Sequence, residues 1–355
     1  HLKNMTDMER LDMMFRFVQF IERQVVLVDA LEDAAFREVN DVEGSGSYKA
    51  FFETVSNRHN LDKLKEALKL MRVRIVLTAH PTQFYPGSVL GIINDLALAI
   101  KNNEIPEIRN LLEQLGKTPF FSKKKPTPYD EAVSLIWFLE NIFYYAIPLI
   151  YEEIKASFPN EFDEIVKDSP ILQLGFWPGG DRDGNPFVSL DTTLAVAHRL
   201  RTSLLKCYFR DIRHLKRRLT FKGVEEVIAD VEQKLYESSF MDPENPTITH
   251  EELVEKIDQI ATLLKNDHGS TYLNEVELFQ DKLKIFGYHF STIDIRQDSR
   301  VIASAVRSVR TSYPDLFPEN YDQLDDEAKA QFLFSIKGQI ETDKFEDPID
   351  RDTVG

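Results

Sequence analysis

The sequence predicts a mostly helical protein with a few short parallel strands, and three observations predict it. Apolar residues recur at three- and four-residue spacing through most of the 355 residues, the period of an amphipathic helix. Three short β-branched or apolar runs, near 73–79, 171–177 and 288–295, break that period. Roughly a hundred residues of helical pattern separate each run from the next, a length that a hairpin does not need and a parallel crossover does.

The elements follow in order. From Met5 to Val39, the spacing of Leu11, Met14, Phe15, Val18, Ile21, Val25, Val28 and Leu31 marks a long core-facing helix. Gly44-Ser45-Gly46-Ser47 ends it, and a second helix over about Tyr48–Leu70 returns to make a helical hairpin. Val73–Ala79 (VRIVLTA) reads as a buried strand that stops at His80-Pro81, because proline cannot continue a ladder. Helices are expected at about Pro86–Lys101 and Ile105–Leu115, followed by the basic, proline-broken loop Lys123–Pro128. A helix from Tyr129 to about Ala156 carries Trp137, Phe138, Phe143, Tyr144 and Tyr145, most simply read as core packing. Ile171–Trp177 (ILQLGFW) is a second strand with the glycine-rich exit Pro178-Gly179-Gly180. Asp191 is the expected N-cap of a helix reaching about Leu219. Helices at Val224–Glu237, His250–Lys265 and Tyr272–Phe286 then lead to the third strand, Tyr288–Ile295. Two more, near Ser299–Val309 and Asp325–Ile336, precede a polar tail.

Composition bounds the function. With 43% hydrophobic residues the chain can bury a sizeable core, and 43 basic against 59 acidic residues give a net charge of -16. That field repels a duplex polyanion, so nucleic-acid binding is not expected. A small anion is still admissible, because a few arginines in a cleft dominate locally over a Debye length of about 8 Å. The one cysteine, Cys207, permits no intrachain disulfide, fits a reducing compartment and reads as a buried small hydrophobe. No run of about 20 uncharged apolar residues and no amino-terminal signal core occur, so a cytoplasmic protein that does not span a membrane is expected. The chain starts at His1 and stops at Asp352-Thr353-Val354-Gly355, and both ends read as cuts.

Polar chemistry follows each of the three strands, where an α/β barrel or open parallel sheet places its site. Thr78-Ala79-His80-Pro81-Thr82-Gln83 puts a histidine at the end of the first strand, either as a hydrogen-bonded structural residue or as a group that exchanges protons near neutral pH. Gly179-Gly180-Asp181-Arg182-Asp183-Gly184-Asn185-Pro186 sets a guanidinium between two carboxylates in a loop whose glycines let backbone approach a ligand. A tight turn or a metal loop through Asp181 and Asp183 has the same composition, although the EF-hand spacing is absent. Asp294-Ile295-Arg296-Gln297-Asp298 places Asp294 and Arg296 on one strand face, either as a salt bridge or with Asp294 holding Arg296 toward an anion. Together they suit acid–base work on a phosphorylated or carboxylated small molecule.

In this order and spacing, TAHPTQ, GGDRDGNP and DIRQ resemble phosphoenolpyruvate carboxylase of the bacterial type, over about residues 70–310. Thr127-Pro128-Tyr129-Asp130-Glu131 resembles the family's TPxDE helix start. The resemblance implies an enzyme that joins bicarbonate to phosphoenolpyruvate, giving oxaloacetate and phosphate with Mg or Mn. It implies His80 as the catalytic residue that takes the carboxyl proton of carboxyphosphate. Arg296 and Arg182 are implied as substrate-binding, with Asp294, Gly180, Asp181, Asp183, Asn185 and Gln297 supporting them.

Two departures stand out. Phe84-Tyr85-Pro86-Gly87 follows the histidine motif where the family pattern carries an arginine pair. The family's carboxyl-terminal half, with its metal-binding acidic residues, a further catalytic histidine and a GRGG loop, has no counterpart here. The resemblance implies an eight-stranded barrel, and three strands cannot close one. The expectation is therefore an excised amino-terminal portion: an incomplete α/β (TIM-like) barrel surrounded by helices, with a sheet edge open to self-association. Residues 1–70 would be an N-terminal helical region, 71–310 a partial barrel with long helical insertions carrying the motifs, and 311–355 a helix and polar truncated tail. No metal ligands and no tightly held metal are expected in this chain, which should be inactive without its carboxyl-terminal half; the intact enzyme would be a homotetramer. A noncatalytic helical binding or regulatory module that retained the motifs, and a self-sufficient metal enzyme using Asp181 and Asp183, are the alternatives.

Overall fold

The computed structural model describes residues 5–57, 60–78, 85, 87–120, 126–167, 170–183, 185–337 and 340–355. Its helices and strands run α1 (Asp7–Val39), α2 (Tyr48–Asn57), α3 (Leu61–Leu70), β1 (Val73–Leu77), α4 (Gly87–Lys101), α5 (Ile105–Lys117) and α6 (Pro128–Phe138). A π-helical turn at Leu139–Phe143 leads into α7 (Tyr144–Ser157), then α8 (Phe162–Ile165), β2 (Leu172–Phe176), α9 (Leu190–Lys216) and α10 (Val224–Tyr236). After a second π turn at Glu237–Met241 come α11 (His250–Asp267), α12 (Leu273–Phe286), β3 (Thr292–Ile293), α13 (Ser299–Ser312), α14 (Asp326–Ser335) and α15 (Pro348–Val354). The protein is mostly helical with one small parallel sheet, as expected.

The chain divides into two compact units, one of residues 1–70, 80–126 and 152–165 and the other of residues 71–79, 127–151 and 166–355. In the first unit, α1 starts with a capping box in which the Thr6 hydroxyl accepts from the Glu9 N–H and the Glu9 carboxylate accepts from the Thr6 N–H. Val26 and Ala30 of α1, one turn apart, are fully buried against Val89, Ile92 and Leu96 of α4 and Leu111 and Leu115 of α5. Arg23 closes the end of α5, donating to the carbonyls of Leu115 and Gly116 at 3.1 Å each, with its guanidinium 5.4 Å from the centre of the Phe120 ring.

Two expectations for this unit are corrected. The partner of α1 is α4, while α2 packs on α3, so the expected hairpin of the first two helices is not formed. The predicted stripe from Leu11 to Leu31 is exposed, and Val26 and Ala30, on another face, are the α1 residues that are buried. Periodicity tells which residues share a helix face; which face is covered depends on what packs closely, and small Ala30 and β-branched Val26 admit α4.

In the second unit the sheet has the order β1-β2-β3 with both pairs parallel. Val73 to Leu77 lie beside Leu172 to Phe176, and Gly175 and Phe176 beside Thr292 and Ile293. Alternation of side chains divides the sheet into two faces. One carries Ile75, Leu77, Leu174, Phe176 and Ile293, with Phe176 fully buried; the other carries Arg74, Val76, Gln173, Gly175, Thr292 and, past the strand ends, Trp177 and Asp294. The helical core of this unit centres on α9, whose Leu200, Leu204 and Tyr208 are buried with Val231 and Leu235 of α10 and Phe279 of α12. Tyr144 is fully buried, and its hydroxyl donates to Asp211 at 2.6 Å beside Lys282, which also reaches Asp211 at 2.7 Å. Burial pushes that phenol well above its ordinary pKa, and the Asp211 carboxylate adds to the effect. Trp137 and Tyr145, from the same aromatic set, are exposed.

Three details differ from the sequence reading. The N-cap of α9 is Ser189, whose hydroxyl accepts from the Thr192 N–H at 3.3 Å; Asp191 sits in the first turn, where a carboxylate meets the positive end of the helix dipole. Regular pairing in the third strand covers two residues: residues 288–291 lie outside the sheet, with Phe290 at φ +55°, and beyond Ile293 the chain makes one more bond to β2, from the Asp294 N–H to the Phe176 carbonyl, before it bonds to the loop that follows β2. The polar tail is folded: Phe345 is 2% exposed, and α15 packs on α13 with the buried Asp350 accepting from Ser304 and Ser308 at 3.1 and 2.5 Å.

One stretch, Pro128–Ser157, is long and apolar enough to cross a membrane by length and composition, with a mean hydropathy of 1.6 in its most apolar window, 28% of which is buried. A core helix of a soluble protein passes the same test, and Glu140 and Asn141 interrupt the apolar run.

Candidate functional site

The parallel sheet continues past its strands into a cluster at its carboxyl edge. Trp177 donates its N–H to the Leu77 carbonyl at 3.0 Å, and Asp294 donates its own to Phe176 at 3.0 Å. Beyond them, the Arg296 N–H reaches the Gly180 carbonyl at 3.0 Å and the Arg182 N–H returns to the Arg296 carbonyl at 2.9 Å. These two bonds tie the glycine loop to the DIRQ segment as an isolated parallel bridge between Asp181 and Arg296.

Both glycines at the loop's start are required for different reasons. Gly179 has φ +83°, and a Cβ there would lie 2.6 Å from a Val196 methyl. At Gly180 a Cβ would lie 2.5 Å from the Ile293 Cγ2 and closer still to the Asp294 carbonyl oxygen. The close approach that these glycines allow is to the neighbouring segment of the same chain.

Arg296 is 44% exposed along its side chain. Its guanidinium lies 4.5 Å from the centre of the Trp177 ring, Nη1 donates to Asp181 at 3.1 Å, and Nη2 stands 3.8 Å from Asp183. Asp294 does not bond Arg296 directly. It accepts from the Trp177 indole N–H at 3.0 Å and from the Arg74 guanidinium, and Arg74 also donates to the Thr292 hydroxyl at 2.6 Å. Two residues of separation do put Asp294 and Arg296 on one side, yet strand spacing keeps their heads apart and Trp177 fills the gap.

Arg182 belongs to a different environment. It is 9% exposed, and its Nη1 donates to the Asp352 carboxylate at 2.8 Å and the Asp352 carbonyl at 3.1 Å, with Thr193 at 3.5 Å from Nη2. Its Nε is buried without a partner. Asp352 also accepts from the Leu190 N–H at 2.7 Å, so one carboxylate fastens both the loop and the start of α9. Asn185 accepts from the Phe187 N–H at 3.1 Å, shaping the turn, and Gln297 accepts from the Asp298 N–H at 2.9 Å. The structure thus brings Arg296, Asp181, Asp183, Gly180 and Asp294 together and sets the Arg182 guanidinium against α15. His80 and Gly184 lie outside the described residues.

Sequence reasoning missed Arg74, Trp177 and Thr292. A signal existed: Arg74 interrupts an apolar strand and shares its parity with Gly175 and Thr292 once the three strands are aligned. Among the described residues, no group of three or more His, Cys, Asp or Glu side chains converges to hold a metal ion. Asp181 and Asp183, the pair for which a metal role was open, both face Arg296. The helix start at 127–131 is as expected: Thr127 and Asp130 form a capping box, at 3.2 Å and 2.9 Å, with Pro128 in the first turn.

The sequence profile of a family described as phosphoenolpyruvate carboxylase matches residues 3–245 and 224–341. A phosphoenolpyruvate carboxylase of Shewanella loihica is 25% identical over 320 residues, covering 79% of this chain and 36% of that protein. Those of Vibrio atlanticus and a Synechococcus species are 26% and 23% identical, covering 78% and 76% of this chain and 36% and 32% of the relatives. The chain thus spans about a third of the length of the curated relatives it matches. With a profile match over most of its residues, the chain belongs to the phosphoenolpyruvate carboxylase family.

Proposed function

We propose that this chain provides the amino-terminal part of a phosphoenolpyruvate carboxylase active site, and that the exposed guanidinium of Arg296 binds the phosphate of substrate or carboxyphosphate. The observation that carries the reading is the setting of Arg296: stacked on Trp177, bonded to Asp181 at 3.1 Å, and held by backbone bonds at the carboxyl edge of a parallel sheet. Asp183, at 3.8 Å and 60% exposed, is the weak partner that an incoming anion displaces. A guanidinium fixed before charge develops stabilises it without reorganisation.

In the proposed reaction, bicarbonate oxygen attacks the phosphoryl group of phosphoenolpyruvate, and the bond from phosphorus to the enol oxygen breaks. Carboxyphosphate and the enolate of pyruvate result. His80 takes the carboxyl proton, carboxyphosphate falls to carbon dioxide and phosphate, and the enolate carbon attacks carbon dioxide to give oxaloacetate. A positioned base of this kind contributes about 10²–10⁴-fold. The family implies Mg or Mn; among the described residues no group of three or more His, Cys, Asp or Glu side chains converges to hold such an ion. In this reading the carboxyl-terminal remainder completes a TIM-like barrel, and the intact enzyme is a cytoplasmic homotetramer.

The test measures phosphate and oxaloacetate formation from phosphoenolpyruvate, bicarbonate and Mg by the chain alone and after mixing with the carboxyl-terminal remainder of a family enzyme. The expected result is activity on mixing that is lost in His80→Asn and reduced in Arg296→Gln. Activity from the chain alone would overturn its partial role, and mixed activity unchanged in His80→Asn would overturn the assignment of the base.

A further inference from the structure

We infer that Arg74 is a positioning residue, which sets the Arg296 guanidinium through Asp294 and Trp177; the inference rests on the reading of Arg296 as the anion-binding group. The starting point is a charged residue inside an apolar strand. Arg74 lies on β1 on the polar face of the sheet, and its side chain crosses β2 at Gly175, where a Cβ would come within 2.9 Å of the Arg74 Nε. Only the missing side chain at Gly175 leaves that path open.

At the end of the path, Nη2 meets the Thr292 hydroxyl at 2.6 Å and the Asp294 carboxylate. Asp294 then has one oxygen on Arg74 and the other, Oδ2, on the indole N–H of Trp177 at 3.0 Å. The indole is fixed at its polar edge, and its face carries Arg296 at 4.5 Å. Four residues, Arg74 within β1, Trp177 just past β2, and Asp294 and Arg296 past β3, therefore form one chain of contacts, cation to carboxylate to indole to cation. Each link is charge-assisted or aromatic, the kinds that hold geometry rather than merely neutralise charge. Because the Asp294 side chain is 24% exposed and that of Arg74 40%, the first link is partly shielded from solvent. Without Arg74, Asp294 turns toward water and the indole loses the support that aims Arg296.

The chain has two tryptophans, so a Trp137→Phe background leaves Trp177 as the single indole reporter. In that background we would compare Arg74, Arg74→Gln, Arg74→Lys and Thr292→Val by tryptophan emission, acrylamide quenching and titration with inorganic phosphate, with circular dichroism confirming the fold. Arg74→Gln is expected to make Trp177 more accessible to acrylamide and to weaken phosphate binding on the order of tenfold, the factor of one charge-assisted contact. Arg74→Lys should recover part of both effects, and Thr292→Val should fall between Arg74→Gln and the parent. Unchanged quenching and unchanged phosphate affinity in Arg74→Gln would overturn the inference. The anion reading itself fails separately: phosphate titration would then be absent, or present and indifferent to Arg296→Gln, while the quenching comparison still decides whether Arg74 fixes Trp177.

Discussion

Replacing Gly180 by alanine tests the link that ties the glycine loop to the DIRQ segment. The added Cβ would lie 2.5 Å from the Ile293 Cγ2, 3.0 Å from the Asp294 carbonyl carbon and closer still to its oxygen. Two of those three atoms are backbone, so the strain is not relieved by turning a side chain. Overpacking of this kind costs about 1–3 kcal/mol. The Gly180–Arg296 and Arg296–Arg182 backbone bonds, at 3.0 and 2.9 Å, must stretch as the segments part, and each is worth about 0.5–1.5 kcal/mol. Partial loss of both brings the expected destabilisation to about 2–4 kcal/mol. Chemical denaturation of Gly180→Ala against the parent measures it, with Gly91→Ala as the control. Gly91 lies within α4 with nothing near its absent Cβ, so alanine there should stabilise by about 0.5–1 kcal/mol. A Gly180→Ala protein within about 0.5 kcal/mol of the parent would refute the close approach that this site rests on.

Three more outcomes are expected. Burial pushes the Cys207 thiol up to about 12, against the opposing pull of Arg210, so a thiol reagent at neutral pH should modify the unfolded chain and spare the native one; rapid native labelling would contradict that burial. The Asp298 carboxylate caps α13 and is held at about 2, first by the hydrogen bond from the Arg300 side chain and then by that from its backbone N–H. A depressed folded pKa means that its contribution is present above the unfolded value near ~3.9 and lost as pH falls through about 2; NMR titration should place its midpoint near 2, rising in Arg300→Gln. Asp352→Ala leaves the buried Arg182 guanidinium with no charged partner, only the backbone carbonyl of residue 352 at 3.1 Å and Thr193 at 3.5 Å, and should cost about 2–3 kcal/mol by denaturation, below the usual figure for a fully buried pair because Asp352 is 36% exposed; no change in stability would show that this ion pair does not fasten the loop.

The behaviour of Arg182 and Arg296 shows how far a motif reads. Both are arginines in loops that follow strands, and composition gives them the same chemistry. Arg296 is 44% exposed on an aromatic face, whereas Arg182 is 9% exposed and fastened to a carboxylate 170 residues away in sequence. No local pattern distinguishes them, because Asp352 lies in a polar tail with no strand or glycine signal of its own.

Local physics set much of the fold in advance. Short apolar runs at 73–79 and 171–177 became β1 and β2 within two residues at either end, and most helices fell near their predicted spans, since propensity, caps and period are properties of neighbouring residues. The parallel order of the strands followed from the long helical intervals between them. Tertiary structure decided the rest. It chose the face of α1 that is covered, limited β3 to Thr292–Ile293 and carried the chain beyond it along the glycine loop, and folded the tail against α13. It also joined Arg74, Asp294 and Trp177, which lie 103 to 220 residues apart in sequence, beneath Arg296. A sequence names the residues able to make such contacts; which of them meet depends on strand register and on the space that Gly175 leaves open, and neither is a local property.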